Sequence, residues 1–225
     1  MTRSLWVFGY GSLLWSPGFQ FTAAQPGVLK GFSRRFYQGN ETHRGRPGKP
    51  GRVATLVEDK EGETWGVAFE VLSPEALPYL DQRECQLGGY TTLFLEFQPT
   101  VGEPFPVLVY WAGRDSCHWL GDAPEQEIAD QIISSSGPSG HNVEYLLRLA
   151  EYVRMHSPET RDDHLFQLEA LVRRGVQERG LVLENLMGPD ITLPQPTPVS
   201  PDDEPPTHSQ FAPNVPSKKL RCLSI

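Results

Sequence analysis

Two short stretches hold the residues best suited to chemistry: FGYGSLLW, Phe8 to Trp15, and RECQLGGY, Arg83 to Tyr90. In the second, Glu84 stands just before a Gly88-Gly89 bend and the start of a strand-like run. Side chains at such bends are often aimed into a cavity. A carboxyl there can take a proton from one group and hand it to another. The same residues also read as an exposed Arg83–Glu84 pair, which is worth little. In the first stretch, Gly9-Tyr10-Gly11-Ser12 interrupts two apolar runs. Glycine allows positive φ and close backbone approach. Successive N–H groups in such a turn suit an anion or a carbonyl oxygen. Ser12 adds a hydroxyl, and Tyr10 reads equally well as a pocket wall or an aromatic plug.

The remaining reactive types are scattered. Cys85, Cys117 and Cys222 form no CxxC pair and no disulfide framework, which fits a reducing, cytoplasmic compartment. His43, His118, His141, His156 and His164 stand singly, without the spacing of zinc ligands. Cys85 has no histidine close by to activate it and reads as a small packed thiol. No Walker loop is present. The net charge of −8 argues against nucleic acid, whose phosphates need a basic excess. No apolar run approaches the ~20 residues of a membrane-spanning helix, and the first residues lack the pattern of a secretory signal.

Elements must hold these residues in place. Strand patterns run over Trp6–Phe8, Val28–Tyr37, Val53–Glu58, Thr64–Val71, Tyr90–Phe97 and Pro106–Trp111, rich in β-branched and aromatic residues. The polar EDKEGET stretch from Glu58 to Thr64 reads as a hairpin connection. After Gly121 the period changes. Asp122 as N-cap and Pro124 near the first turn predict a helix. Val143, Leu146, Leu147, Ala150 and Val153 mark a second, and Leu165, Leu168, Leu171 and Val172 a third. The expectation is an α+β fold: a curved mixed sheet or small β-barrel with C-terminal helices packed on it.

Residues 1–188 read as one domain and residues 189–225 as a proline-rich tail too poor in apolar surface to order itself. Nine of the chain's 21 prolines lie between Pro189 and Pro216. The final SKKLRCLSI resembles a prenylation box with a basic flank. Ser224, however, occupies the place usually held by an aliphatic residue, and an inert end is the preferred reading.

Six segments in order, FGYGSLLW, GFSRRFYQG, THRG…GKPGRVATLVED, WGVAFEV, YLDQRECQLGGY and GPSGHNVEYLLRLA, resemble the ChaC-type γ-glutamylcyclotransferases, the glutathione-degrading branch of their superfamily. The resemblance runs from about Leu5 to Arg174. It implies that Phe8, Gly9, Tyr10, Gly11, Ser12 and Leu13 bind a γ-glutamyl group and that Glu84 is the acid/base. It also implies a cytoplasmic lyase that needs no metal, nucleotide or other cofactor. In the implied reaction the substrate's α-amine attacks its own γ-amide carbonyl, giving 5-oxoproline and, from reduced glutathione, Cys-Gly. Tyr145 lies off the main apolar row of its helix and is a further substrate-binding candidate. One of Arg34, Arg35, Arg44 and Arg52 could receive a substrate carboxylate, although structural pairing is the commoner use of such residues.

An ordinary glutamate titrates ~4 units below an α-amino group, ~5 kcal/mol against proton transfer. Glu84 should therefore be withdrawn from water, which raises its pKa. Other γ-glutamyl peptides or amines are alternative substrates. Family members are linked to cell-death and stress responses and to Notch maturation, so a scaffold role through a protein partner, reached by the proline-rich tail or the Notch pathway, is the contrasting class.

Overall fold

The computed structural model describes residues 5–71 and 76–197. Expectations for residues 198–225, including Cys222 and most of the proline-rich stretch, lie outside the described residues. Five strands, β1 (Leu5–Gly9), β2 (Phe21–Asn40), β3 (Gly51–Val71), β4 (Thr91–Pro99) and β5 (Phe105–Trp111), close a barrel in the order β1-β3-β2-β4-β5. All neighbours are antiparallel except β1 and β5, which close the ring in parallel through Val7↔Leu108 and Phe8↔Val109. Four helices, α1 (Ala76–Leu80), α2 (Glu125–Ser134), α3 (Asn142–His156) and α4 (Asp163–Glu178), complete the α+β architecture.

Successive side chains of a strand point to opposite faces, and in β1 and β5 both faces are buried. Phe8, Val107 and Val109 turn inward onto Leu29, Val67 and Phe97. Val7, Leu108 and Tyr110 turn outward into a second cluster with Leu80, Cys85 and Tyr90, beneath α1 and the turn that follows it. That double burial makes VLVYWA read as an unbroken apolar run. Helices α2, α3 and α4 bury Ile128, Ile132, Leu146, Leu149, Leu165 and Leu168 in the main core.

Two local expectations need correction. Val53–Glu58 and Thr64–Val71 belong to one strand, β3, and both pair with β2. Instead of turning the chain back, Asp59–Gly62 bulges opposite Gly31, since Phe32 pairs with Glu58 and Lys30 with Glu63. Ser33 Oγ donates to Asp59 Oδ2 at 2.6 Å and Glu61 N to its Oδ1 at 3.3 Å, which holds the bulge. Asp122 is not the cap of α2. Pro124 takes that position, and Asp122 Oδ1 accepts the Tyr37 hydroxyl at 2.7 Å.

The ordered body also continues past residue 188. Leu193 packs on the main core, and Thr197 N donates to Phe21 O at 2.8 Å. A strap thus runs over residues 188–197.

Candidate active site

Glu84 sits in a wide, π-type turn over Asp81–Gln86 that extends α1. Such turns recur at functional positions because they displace side chains from the regular helical path. Leu80 and Cys85 anchor this segment on the outer barrel face, and Cys85 is disulfide-bonded, not the free packed thiol the sequence suggests. The Gly-Gly bend then ends it for two different reasons. Gly89 holds φ +68°, which other residues rarely adopt, and a Cβ on Gly88 would lie 2.6 Å from Glu84 O. Tyr90 N donates to that same Glu84 carbonyl at 3.0 Å. The Glu84 side chain is only 15 % exposed.

Arg83 ties this turn to the opening loop. Its Nε stands 2.9 Å from Glu84 Oε1, and Nη2 donates to Ser12 Oγ at 3.0 Å. Nη1 donates to the carbonyls of Ser16 and Pro17 at 2.7 and 2.9 Å. The opening loop leaves β1 at Gly9 and forms a single 3₁₀ turn, Ser12–Leu14. From behind, buried Arg34 donates through Nη1 to Tyr10 O at 2.9 Å and through Nη2 to Trp65 O at 2.6 Å. Its Nε stands 3.0 Å from Asp162 Oδ2, an ion pair without hydrogen-bond alignment. Tyr10 itself donates its hydroxyl to Tyr110 O at 2.6 Å.

The glycines of this loop are used differently from the expectation of positive φ. Neither Gly9 nor Gly11 adopts one. A Cβ on Gly11 would stand 2.8 Å from the Tyr145 hydroxyl, and one on Gly9 would crowd Leu13 and Phe69 at 3.0 Å. Close packing, and no special torsion, requires glycine here. The Tyr145 hydroxyl accepts from Ala54 N at 3.2 Å.

Phe8, Tyr10, Gly11, Ser12, Leu13, Glu84 and Tyr145 line one recess of about 40 Å³, room for a single functional group. Gly9 lies behind it. Ser12, Glu84, Tyr90 and Tyr145 also line a wider cleft of about 620 Å³, within the ~300–1,000 Å³ range of small-molecule sites. A larger cavity, about 820 Å³, opens elsewhere around Arg35, Asp59 and Asp163 and shares none of these residues.

Burial raises the Glu84 pKa, and the neighbouring Arg83 guanidinium works against that rise. Burial also pushes the Tyr145 hydroxyl up to about 12 and the hydroxyls of Tyr10 and Tyr90 well above their usual range. All three therefore stay protonated near neutrality and can donate or orient hydrogen bonds. Burial, then the charges of Arg83 and Arg44, lowers the His43 pKa and keeps that ring neutral in the cleft.

Of the four candidate arginines, Arg34 and Arg52 are structural. Arg52 is spent on Gln131 Oε1 and the carbonyls of Phe36 and Gly121. Arg35 faces the other cavity. Arg44 lines the cleft and donates to Glu144 Oε2 at 2.5 Å. Sequence reasoning passed over Tyr110 and left Tyr90 and Arg83 without roles. Tyr90 directly follows the Gly-Gly bend, a position that could have marked it.

A family model described as ChaC-like protein matches residues 5–175. The chain is 49% identical over 175 residues to glutathione-specific γ-glutamylcyclotransferase 1 of Mus musculus, covering 76% of this chain and 77% of that protein. It is 36% identical over 195 residues to the glutathione-specific γ-glutamylcyclotransferase of Schizosaccharomyces pombe, covering 78% and 95%. A crystal structure of a yeast γ-glutamyl cyclotransferase specific to glutathione is similar with a TM-score of 0.71 at 28% identity. That match covers 76% of this chain and 97% of the yeast one.

Proposed function

The chain belongs to the ChaC-like protein family, and on that premise we propose that it cyclises the γ-glutamyl group of glutathione, releasing 5-oxoproline and Cys-Gly. It is a lyase of the glutathione-specific γ-glutamylcyclotransferase type, as its relatives of 49% and 36% identity are named. One observation carries the assignment of roles. The Glu84 carboxyl is withdrawn from water in a recess it shares with the Tyr10–Leu13 loop.

The chemistry follows from that geometry. Both reacting groups belong to one substrate, so folding it into the attacking conformer removes much of the entropic barrier. Glu84 takes a proton from the α-ammonium, and desolvation makes its carboxylate a stronger base than one in water. The freed amine attacks the γ-carbonyl carbon and closes a five-membered ring. Amides of the Tyr10–Leu13 loop, with the Ser12 hydroxyl, face the developing oxyanion. Glu84 then returns its proton to the cysteinyl nitrogen as the old C–N bond breaks. The ring nitrogen gives up its second proton to the departing amine through the same carboxylate. Cys-Gly leaves as its ammonium, and the lactam nitrogen of 5-oxoproline is left neutral. Tyr145, protonated and packed on Gly11, bounds the recess and holds the substrate's γ-glutamyl end. Arg44 and Arg83 bring two guanidinium groups to the cleft, each beside a carboxylate of the protein, as candidate partners for a substrate with two carboxylates.

Incubation of the pure protein with glutathione, γ-Glu-Ala and γ-Glu-ε-Lys separately, with 5-oxoproline quantified, tests this. Product from glutathione alone is expected. Product from the other two at equal rates would make it a general γ-glutamyl cyclotransferase, and product from none would leave the scaffold reading. No helix among the described residues is long and apolar enough to cross a membrane. The cytoplasmic location is a proposal resting on the scattered spacing of the cysteines in the sequence; the disulfide-bonded state of Cys85 counts against it. A protein partner is a proposal: one reached by the proline-rich tail, residues 189–225, rests on that tail's composition, and one in the Notch pathway rests on the family resemblance alone. It is tested by capture with full-length chain against a chain ending at Thr197.

A further inference from the structure

We propose that the strap over residues 188–197 is part of the substrate site: Ile191, with Pro189, forms the wall that receives the cysteinyl side chain of glutathione. The inference deepens the cyclotransferase reading and rests on it for the identity of the ligand. The strap lies beyond the stretch matched by the family model, which ends at residue 175.

Three observations carry it. Pro189 and Ile191 line the wide cleft but not the small recess, so they border the part of the site that remains once a γ-glutamyl group points toward Glu84. The strap is fixed on both sides of Ile191. Upstream, Arg148 Nη2 donates to the carbonyls of Gly188 and Pro189 at 3.1 and 2.7 Å, and Gly188 N donates to Glu144 Oε1 at 3.1 Å. Downstream, Leu193 packs on the core and Thr197 N bonds Phe21 O. The anchor itself is built for the purpose. Glu144 is buried, its carboxyl held below the usual range because bonds from Arg44 and Arg148 outweigh the effect of burial. A Cβ on Gly188 would lie 2.6 Å from Glu144 Oε1, so only glycine lets the strap sit this close.

Ile191 is thus a 37 % exposed apolar side chain held in a fixed place on the wall of the cleft. A thiol-bearing methylene is a small hydrophobe that such a wall can cover. Arg44 lines the same cleft and shares Glu144 with the strap, which fixes the wall relative to a cationic side chain. γ-Glu-Gly-Gly, which lacks only the cysteinyl side chain, has nothing to place against Ile191.

The test compares wild type, Ile191→Ala and Ile191→Leu in the full chain. Binding of glutathione and of γ-Glu-Gly-Gly is titrated calorimetrically in a Glu84→Gln background, and turnover is measured with Glu84 intact. Ile191→Ala is expected to weaken glutathione binding and raise its KM by about tenfold with kcat unchanged, the scale of a lost apolar contact in a pocket. Ile191→Leu should restore both values, and γ-Glu-Gly-Gly should not respond to either change. Unaltered glutathione affinity in Ile191→Ala, or equal losses on the two ligands, overturns the wall. Binding that follows this pattern without turnover by wild type would leave the wall standing and remove the cyclotransferase reading. Absence of glutathione binding by the otherwise unaltered Glu84→Gln chain overturns the wall.

Discussion

Arg83 Nε stands 2.9 Å from Glu84 Oε1, and the same guanidinium donates to Ser12 Oγ and to two carbonyls of the opening loop. One side chain therefore sets both the position of the carboxyl and the loop that faces it. It also restrains the rise in pKa that burial imposes on Glu84. Removing the charge in Arg83→Met should move the acid limb of kcat/KM to higher pH, because a carboxylate without its cation protonates more readily. A rate profile fixes this directly. An acid limb that stays in place would show that the guanidinium only holds the loop.

Glu84→Gln keeps the shape of the side chain and removes its proton chemistry. Turnover should fall by at least ~10²-fold, the usual contribution of a positioned acid/base. The fold should not suffer. A buried carboxyl with a raised pKa is costly to ionise, so at neutral pH its neutral replacement leaves Tm equal or higher. Thermal melts beside the 5-oxoproline assay read both effects. Retained glutathione cleavage would remove the mechanism.

Gly11→Val places a branched side chain where the Tyr145 hydroxyl stands 2.8 Å from an added Cβ. The tyrosine must move and the recess must change shape. KM should rise sharply while the circular dichroism spectrum stays native. An unchanged KM would deny the loop any part in binding.

His164 predicts the acid limit of stability. Burial first, then the charges of Arg35 and Arg52, lower its pKa from 6.5 to about 4, and its Nε2 accepts from Phe36 N at 3.1 Å. Asp122 acts in the opposite sense, and Glu125 Oε1 stands 3.6 Å from Nδ1. Between pH 6.5 and 4 the unfolded chain binds the extra proton. Stability contributed by this group is thus complete above 6.5 and is lost as pH falls toward 4, up to roughly 3 kcal/mol. Urea melts across that window should show the slope, and His164→Gln should flatten it.

How far the sequence speaks for itself depends on where a side chain's partners lie. Strands β1 and β5 were legible because both faces are buried, which leaves continuous apolar runs. Glu84 and the opening loop stand out in the sequence because glycine next to a reactive residue is a local signal, and the structure brings them to one recess. The continuity of β3 was not, since Asp59–Gly62 is polar and bulged, and alternation fails there. The first residues of β2 were hidden by Pro26 and Gly27, which usually break strands. Tyr110 and Ile191 escaped notice, and Arg83 was given no role, because their meaning depends on contacts made across the chain. Arg83 reaches Ser12, Tyr110 accepts from Tyr10, and Ile191 closes a cleft begun at Ser12. No window of neighbouring residues contains such pairs.

The Asp162–Arg34–Tyr10 connection has a consequence for how the protein comes apart. Asp162 caps α4 through Leu165 N while pairing with Arg34, whose other nitrogen grips the loop that faces Glu84. Fraying of the fourth helix would therefore slacken the loop at the far side of the barrel before any strand separates. Amide exchange at Leu165 and loss of catalytic competence should share one opening event, and the enzyme would go silent while its sheet is still closed.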